Sequence, residues 1–340
     1  MHVIRQRAFA RAGLVGNPSD GYFGKTISVV VRDFAAEVVL YPWDELEIVW
    51  SQEDQNRFRS IRDLSDDVQA HGYYGGVRLV KATIKKFYDY CRKREIALAA
   101  DNFSIRYQSN IPRQVGLAGS SAIIVATLRG LCEFYGVAID RRAMPSLALS
   151  VETEELGIPA GLQDRVAQVY EGATYMDFSR AAAEEVDGYT VGRYEPLDPT
   201  LLPPLYVAYD RSAAEPTEIP HNDLRRRFAA GDRAVLAAMQ TFASLAERSR
   251  AAILSGDHAE LARLMDENFD TRRSICALAD KHVRMVEAAR TAGASAKFAG
   301  SGGAIVGIYA DEPMLDRMQS AFAAAGLNCE IVRLRFPPTH

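Results

Sequence analysis

The sequence has 340 residues, more than one domain usually contains, so its length predicts two domains. Hydrophobic residues make up 48% of the chain and charged residues 25%, which is typical of globular proteins and argues against a disordered chain. The formal net charge of −4 argues against nonspecific binding to nucleic acid, which requires a basic surface. No uncharged apolar stretch reaches the roughly 18 residues that a membrane span needs, so we expect neither nucleic acid nor a membrane as a partner.

The first half of the chain predicts a sheet that is followed by helices. Alternating and β-branched residues predict strands at 3–14 and 26–40, joined by the turn-rich segment 17–25. Further strands are expected at 103–111 and 173–178, and helices at 76–94, 120–135, 144–156 and 162–170. The helix at 120–135 carries apolar residues on more than one face, so we expect it to be largely buried.

The second half of the chain predicts a smaller α+β layer. The composition becomes loop-like at 181–204, with LDPTLLPP at 197–204 as the clearest candidate boundary, and we assign 1–190 and 191–340 to the two domains. The elements predicted beyond it are strands at 205–209, 304–309 and 329–336 and helices at 223–256, 257–279, 282–292 and 313–325. That order favours helices packed against a small sheet.

The segment QVGLAGSSAII at 114–124 places glycines and serines directly before the predicted buried helix. Backbone N–H groups at a helix start are unpaired and aligned with the helix dipole, so such a loop can bind a phosphate. Two serine hydroxyls could add contacts to phosphate oxygens or to Mg²⁺. A tight turn with a serine N-cap would explain the same letters, and the segment alone leaves both interpretations open.

Two common phosphate-binding motifs are excluded by their spacing. Gly24-Lys25-Thr26 resembles the end of a P-loop, but the motif requires glycine where Ser19 stands. GSGGAIVG from Gly300 lacks the third glycine of a dinucleotide-binding motif, because Ile305 occupies that position.

With PxxxGLxGSSA at 112–122, the chain resembles the GHMP kinase family. ARAGLVGNPSD at 10–20 is similar to the first motif of that family, and KFAGSGGAIV at 297–306 is similar to its third. Phrases spread over the whole chain are most similar to the glucuronokinase branch of the family. The resemblance implies a two-domain α+β fold, with an N-terminal domain like domain 2 of ribosomal protein S5, a ferredoxin-like C-terminal domain, and the site in the cleft between them.

The resemblance also implies the cofactors ATP and Mg²⁺ and a role for each residue of the motifs. Asp164 would orient or deprotonate the attacking sugar hydroxyl, and Arg11 would stabilise charge between Asp164 and the γ phosphate. Ser121 and Glu152 would bind Mg²⁺. The residues expected to hold the ATP phosphates are Pro112, Gly116, Leu117, Ala118, Gly119, Ser120 and Ser121. A helix N-terminal carboxylate at Asp164 and an exposed acidic turn at Glu152 are the alternatives for these two residues.

For the sugar, the resemblance implies contacts from the first and third motifs. The residues expected there are Asp20, Lys25, Arg113, Gly300, Ser301 and Gly302. Asp20 would accept hydrogen bonds from sugar hydroxyls, with an Asx turn as the alternative. A uronic acid also needs a cation for its carboxylate, and Arg113, Lys25 and Arg165 are the candidates.

Three other features receive weaker expectations. Adenine is expected to pack in the segment 41–74. We expect Lys297 to be a strand or turn cation without a chemical role, and the basic run Arg225–Arg227 to be a solvated helix face.

The resemblance to the wider family is incomplete at two positions. AFAR at 8–11 replaces the usual APGR or APGK but keeps the basic residue, and Asn17-Pro18 replaces a Glu-His pair, which argues against galactose. The resemblance to the glucuronokinase branch implies phosphorylation of D-glucuronate at its anomeric hydroxyl. The same chemistry on galacturonate, a hexose or a heptose, a noncatalytic sugar sensor, and an ATP-driven decarboxylation are the alternatives.

The four cysteines predict a reducing location. Cys91, Cys132, Cys276 and Cys329 are far apart and form neither CxxC nor CxxH, which argues against a zinc site or a redox pair. Such scattered thiols are typical of cytoplasmic proteins. The sequence leaves the oligomeric state open.

Overall fold

The computed structural model describes residues 2–49, 76–211 and 218–336. Its strands are β1 Ile4–Val15, β2 Lys25–Trp43, β3 Glu47–Val49, β4 Asn102–Ser109, β5 Ala173–Asp177, β6 Glu184–Val186, β7 Tyr189–Val191, β8 Arg193–Leu197, β9 Leu205–Asp210, β10 Lys297–Phe298, β11 Ala304–Ile308 and β12 Cys329–Arg333. Its helices are α1 Gly76–Lys93, α2 Gly119–Tyr135, α3 Met144–Ser150, α4 Gln163–Tyr170, α5 Glu218–Ala229, α6 Arg233–Ser255, α7 His258–Ile275, α8 Asp280–Thr291 and α9 Glu312–Ala324. This mixture of helices with several sheets confirms the α+β class.

The larger sheet is built around the long strand β2. One part of β2 pairs with β4 and another with β5, while β1 pairs antiparallel with β2 along most of its length. The order is β3-β4-β2-β5-β8, with β1 outside that path. Helix α2 packs on β1 and β2, and ten of its residues are buried. The prediction of a largely buried helix behind the glycine-rich segment is confirmed.

The smaller sheet has the antiparallel order β10-β11-β9-β12. Helices α7 and α8 pack near β10 and β11, and α9 packs against α8 and β12. Helices α6 and α7 form a pair, and each also contacts β1, so the helices after residue 218 reach across to the first sheet. These contacts bring β10 and its following turn next to β1, where the first motif lies.

The structure differs from the predicted elements in three places. The helix predicted at 223–256 is broken, because Gly231 has φ +74° and Asp232 caps the next helix by accepting from Ala234 N and Val235 N. The helix predicted at 144–156 ends at Ser150 and continues as a π-helical turn, Val151–Glu155. The predicted loop at 181–204 contains three short strands.

The last of these short strands, β8, pairs with β5 in the larger sheet. The domain boundary near residue 190 stays a prediction. Within the described residues, no helix is long and apolar enough to cross a membrane.

Candidate active site

The glycine-rich loop turns sharply before α2. Gly116 and Ala118 have φ of +74° and +65°, and Ala118 occupies the N-cap position without any side chain capping the first turn. Gln168 fixes the turn from α4, donating from Nε2 to Ala118 O at 2.9 Å. The N-cap is therefore not a serine. The first-turn N–H groups receive no capping side chain, which is the arrangement an anion site requires.

Arg11 lies at the centre of the candidate site and contacts three motifs at once. Its side chain is buried, with 6% of the residue exposed. Nε donates to Asp164 Oδ1 at 2.6 Å. Nη1 donates to Gly116 O at 2.7 Å and to Ala299 O at 3.1 Å. One guanidinium thus joins the predicted catalytic carboxylate to the glycine-rich loop and to the third motif.

Two carboxylates meet at the start of α4. Asp164 lies in the first turn of this helix, and Asp20 accepts a hydrogen bond from Gln163 N at 3.3 Å. A Cβ on Gly161 would lie 2.1 Å from Asp20 Oδ2, so only glycine leaves room for this carboxylate. Burial and the nearby Asp164 carboxylate raise the pKa of Asp20 to about 6. The site therefore holds two acidic groups within electrostatic range of two cations, Arg11 and Arg165.

Glu152 is buried on the π-helical turn, with 4% of the residue exposed. Its neighbours Glu154 and Glu155 instead pair with Lys86 and Lys85. An exposed acidic turn therefore does not describe Glu152. Its carboxylate forms an ion pair with the guanidinium of Arg165, which is also buried.

The third motif packs directly on the glycine-rich loop. A Cβ on Gly300 would lie 2.1 Å from Gly116 O, and a Cβ on Gly302 would lie 2.6 Å from His282 Nδ1. Arg272 of α7 holds this turn from below, donating from Nη1 to Gly300 O at 2.6 Å and from Nη2 to Ser301 O at 3.4 Å. Glycine at 300 is thus required for the close approach of the two backbones.

Lys297 joins the first and third motifs. It is 1% exposed, and its Nζ donates to Gly13 O at 2.6 Å, Asn17 Oδ1 at 2.5 Å and Phe298 O at 2.8 Å. Burial lowers the pKa of Lys297 well below its ordinary value, and the positive charges of Arg272 and Arg11 act in the same direction. The lysine is therefore a buried cation in strand β10 that links the two motifs, and its lack of a chemical role stays a prediction.

The predicted phosphate and sugar residues do not all join this cluster. Leu117 is buried and its carbonyl accepts from Arg11 N at 3.2 Å, which places the loop backbone at the centre. The ammonium of Lys25 instead pairs with Asp177 and Glu247. Arg113 is exposed beside the loop, and Pro112 and Ser120 are partly buried there.

Ser121 and Glu152 have the type of side chain that a magnesium site requires. Both side chains offer oxygen, which Mg²⁺ prefers. Each already has a protein partner, since Ser121 Oγ donates to Ala118 O at 3.2 Å and Glu152 pairs with Arg165. Within residues 2–49, 76–211 and 218–336, no group of three or more His, Cys, Asp and Glu residues could hold a metal ion.

Sequence reasoning missed three buried residues that support the motifs. Arg272 and Gln168 are described above, and Asn268 accepts from Gly16 N at 2.6 Å while donating to Asn17 O at 3.1 Å. All three lie on helices far along the chain from the turns they hold, so no local pattern marks them. Most of the segment expected to hold adenine, at 50–74, lies outside the described residues.

Comparisons with known proteins agree with the motifs. Residues 78–172 match a family model described as the GHMP kinases N terminal domain, and residues 249–328 match the GHMP kinases C terminal model. Glucuronokinase 1 of Arabidopsis thaliana is 43% identical over 97% of this chain and 92% of its own length. Probable glucuronokinase 2 of the same plant is 45% identical over 89% of this chain and 84% of its own length.

A solved structure supports the fold independently. The crystal structure of Lactococcus lactis galactokinase complexed with galactose superposes with a TM-score of 0.76, covering 98% of this chain and 94% of that chain. The two sequences are 13% identical, so the comparison concerns the fold alone.

Proposed function

This chain belongs to the GHMP kinase family, and we propose that it transfers the γ-phosphoryl group of ATP to the anomeric hydroxyl of D-glucuronate, giving D-glucuronate 1-phosphate. The two glucuronokinases of Arabidopsis thaliana, each more than 40% identical over most of the chain, support this substrate. The family supplies the expectation of ATP as the phosphoryl donor.

The position of Arg11 is the observation that carries the proposal. Phosphoryl transfer depends on positioning and on stabilising charge spread over the transferred group. Arg11 Nε contacts the Asp164 carboxylate, and its Nη1 contacts the carbonyl of Gly116 in the glycine-rich loop. A guanidinium between these two elements would face both the attacking hydroxyl and the γ phosphate, where negative charge develops.

Asp164 and Asp20 would contact different hydroxyl groups of the sugar. Asp164 would accept the proton of the anomeric hydroxyl or fix its direction, while Arg11 holds the carboxylate in place through the contact at 2.6 Å. Asp20, anchored by Gln163 N, would accept hydrogen bonds from other sugar hydroxyls. Because Asp20 contacts the start of the helix that carries Asp164, both carboxylates would face the same sugar.

The glycine-rich loop and its neighbours would hold the nucleotide. The first-turn N–H groups of α2 would bind phosphate oxygens, and the turn at Gly300 would close over them from the third motif. Ser121 and Glu152 would hold Mg²⁺, which when bound neutralises charge on the ATP phosphates. Glu152 would then share its carboxylate between the ion and Arg165, its partner in the structure.

A cytoplasmic location is part of the same proposal. All four cysteines are free thiols in the structure, which supports a reducing compartment.

A substrate panel tests the proposed activity. ADP release would be measured with ATP and Mg²⁺ in the presence of D-glucuronate, D-galacturonate, D-glucose or D-galactose. We expect D-glucuronate to give the highest kcat/KM. A higher kcat/KM with D-galacturonate or a neutral hexose would reassign the substrate. If none of the four sugars led to ADP release, the protein would not be a kinase of these sugars.

A further inference from the structure

A uronate differs from a neutral hexose by its carboxylate, so a uronate kinase needs a cation that is available to pair with it. Two of the cations close in sequence to the motifs already have acidic partners. Lys25 pairs with Asp177 and Glu247, and the buried Arg165 pairs with Glu152. The third candidate, Arg113, is exposed beside the glycine-rich loop and is also engaged in an interaction. The basic run of α5, near the turn of Asp20, offers further cations.

Among the side chains that the structure describes, one arginine of the basic run on α5 has no such partner. Arg226 pairs with Asp223, and Arg227 pairs with Asp232 while donating to Ile275 O at 2.6 Å. Arg225 is exposed and makes no hydrogen bond or ion pair with any side chain that the structure describes. Arg225 and Arg226 are solvent-exposed, as predicted for a solvated face, whereas Arg227 is partly buried and is held by its contacts with Asp232 and Ile275 O.

The helix places Arg225 near the turn that carries Asp20. Phe228 lies one helical turn after Arg225, on the same side of α5, and its ring packs against that of Tyr22 at a centroid distance of 4.8 Å. Tyr22 closes the short helical turn Ser19–Tyr22, which also carries Asp20. The aromatic contact therefore joins the helix of Arg225 to the turn of Asp20.

The electrostatics of Tyr22 agree with this geometry. Burial raises the pKa of the Tyr22 phenol to about 12, the positive charge of Arg225 lowers it, and the negative charge of Asp20 raises it. Both charges are therefore within electrostatic range of the same hydroxyl. A ligand that hydrogen-bonds to Asp20 through its hydroxyls would have Arg225 on the side of Tyr22.

We propose that Arg225 is a specificity-determining residue that binds the carboxylate of the uronic acid, with Asp20 holding hydroxyls of the same sugar. The inference rests on the proposed function. A guanidinium presents two parallel N–H groups that match the two oxygens of a carboxylate. Arg225 is exposed and has no acidic partner among the described side chains, so it can offer these groups without breaking a pair seen there. The contacts of Arg227 and Phe228 hold this part of α5 against the turn that carries Asp20.

The test combines a change in the protein with the matching change in the substrate. Wild type, Arg225→Ala, Arg225→Lys and Arg226→Ala would be assayed with D-glucuronate and with D-glucuronamide, whose amide removes the charge but keeps the shape. The amide would be measured as a substrate or, if turnover is too slow, by its inhibition constant. Melting temperatures of all four proteins would establish that each is folded.

We expect Arg225→Ala to lower kcat/KM for D-glucuronate about ten- to a hundredfold, mainly through KM, because one charge-assisted contact is lost. Its constants for D-glucuronamide should stay within about twofold of wild type, and Arg225→Lys should recover part of the loss. Arg226→Ala is the matched control, and its kinetic constants for D-glucuronate and for D-glucuronamide should equal those of wild type.

Two results would overturn the assignment of Arg225. One is equal kcat/KM for D-glucuronate in Arg225→Ala and Arg226→Ala, and the other is an equal loss for the acid and the amide in Arg225→Ala. A wild type that does not phosphorylate D-glucuronate would overturn the proposed function itself and this inference with it. The wild-type assay thus separates the two failures.

Discussion

Replacing Lys297 with methionine should destabilise the protein and weaken sugar binding. The ammonium donates to Gly13 O, Asn17 Oδ1 and Phe298 O from a position that is 1% exposed. Methionine fills a similar volume but offers no donor. Since a buried acceptor without a partner costs about 1–3 kcal/mol, three of them cost at least about 3 kcal/mol.

Part of this loss is offset, because methionine carries no charge that must be removed from water. We therefore expect the free energy of unfolding to fall by about 2–4 kcal/mol, measured as a lower urea midpoint by intrinsic fluorescence. Asn17 belongs to the turn that leads to Asp20, so the folded variant should also show a higher KM for the sugar, with a smaller change in the KM for ATP.

An exposed lysine provides the control. Lys85 pairs with Asp89 and Glu155 on the surface, and its replacement by methionine should leave the urea midpoint close to that of wild type. A Lys297→Met variant that unfolds at the wild-type midpoint would refute the reasoning that this ammonium holds the two motifs together.

Other variants at the site have expected outcomes of their own. Replacing Arg11 with methionine removes the cation shared by the three motifs and should lower kcat about a hundred- to a thousandfold, measured by steady-state kinetics; an unchanged kcat would remove it from catalysis. The folded pKa of Asp20 is about 6, above the ordinary 3.8, so this carboxyl stabilises the fold below pH 3.8 and loses that contribution as the pH rises through 6. Asp20→Asn should therefore melt higher than wild type at pH 7.5 but not at pH 4, and a lower melting temperature at pH 7.5 would contradict the shift. Gly300→Ala places a methyl group 2.1 Å from Gly116 O and should abolish activity. Gly21→Ala, whose Cβ would meet nothing within 4 Å, should remain active. Equal activities of the two variants would rule out the close packing.

The sequence predicts the glycine-rich turns well because close backbone approach has a chemical signature. Gly300 and Gly116 must lack a side chain where their turns meet, and this requirement is visible in the letters alone. The buried helix α2 is equally predictable, since apolar residues on more than one face leave it no side for water. The predicted cluster of Arg11 and Asp164 also follows from the motif order, although their contact at 2.6 Å requires the fold.

Buried cations are the part that the sequence conceals. In the sequence, nothing distinguishes Lys297 and Arg272 from exposed lysines and arginines. Only the packing of the structure shows that both donate hydrogen bonds to backbone carbonyls. The reverse holds for Lys25, whose nearness in sequence to the first motif suggested a sugar contact although its ammonium pairs with Asp177 and Glu247. Partners of long charged side chains are set by tertiary contacts, which local spacing does not encode.

The most direct test of the proposed reaction is ³¹P NMR of the products formed by wild type and Asp164→Asn with ATP, Mg²⁺ and D-glucuronate. We predict that wild type gives a sugar 1-phosphate resonance, coupled to the anomeric proton, as ATP is converted to ADP. Asp164→Asn should give the same product about 10² to 10⁴ times more slowly while still binding D-glucuronate, because the group that orients or accepts the proton is lost. A wild type that forms no sugar phosphate, or an Asp164→Asn variant that forms it at the wild-type rate, would contradict the account.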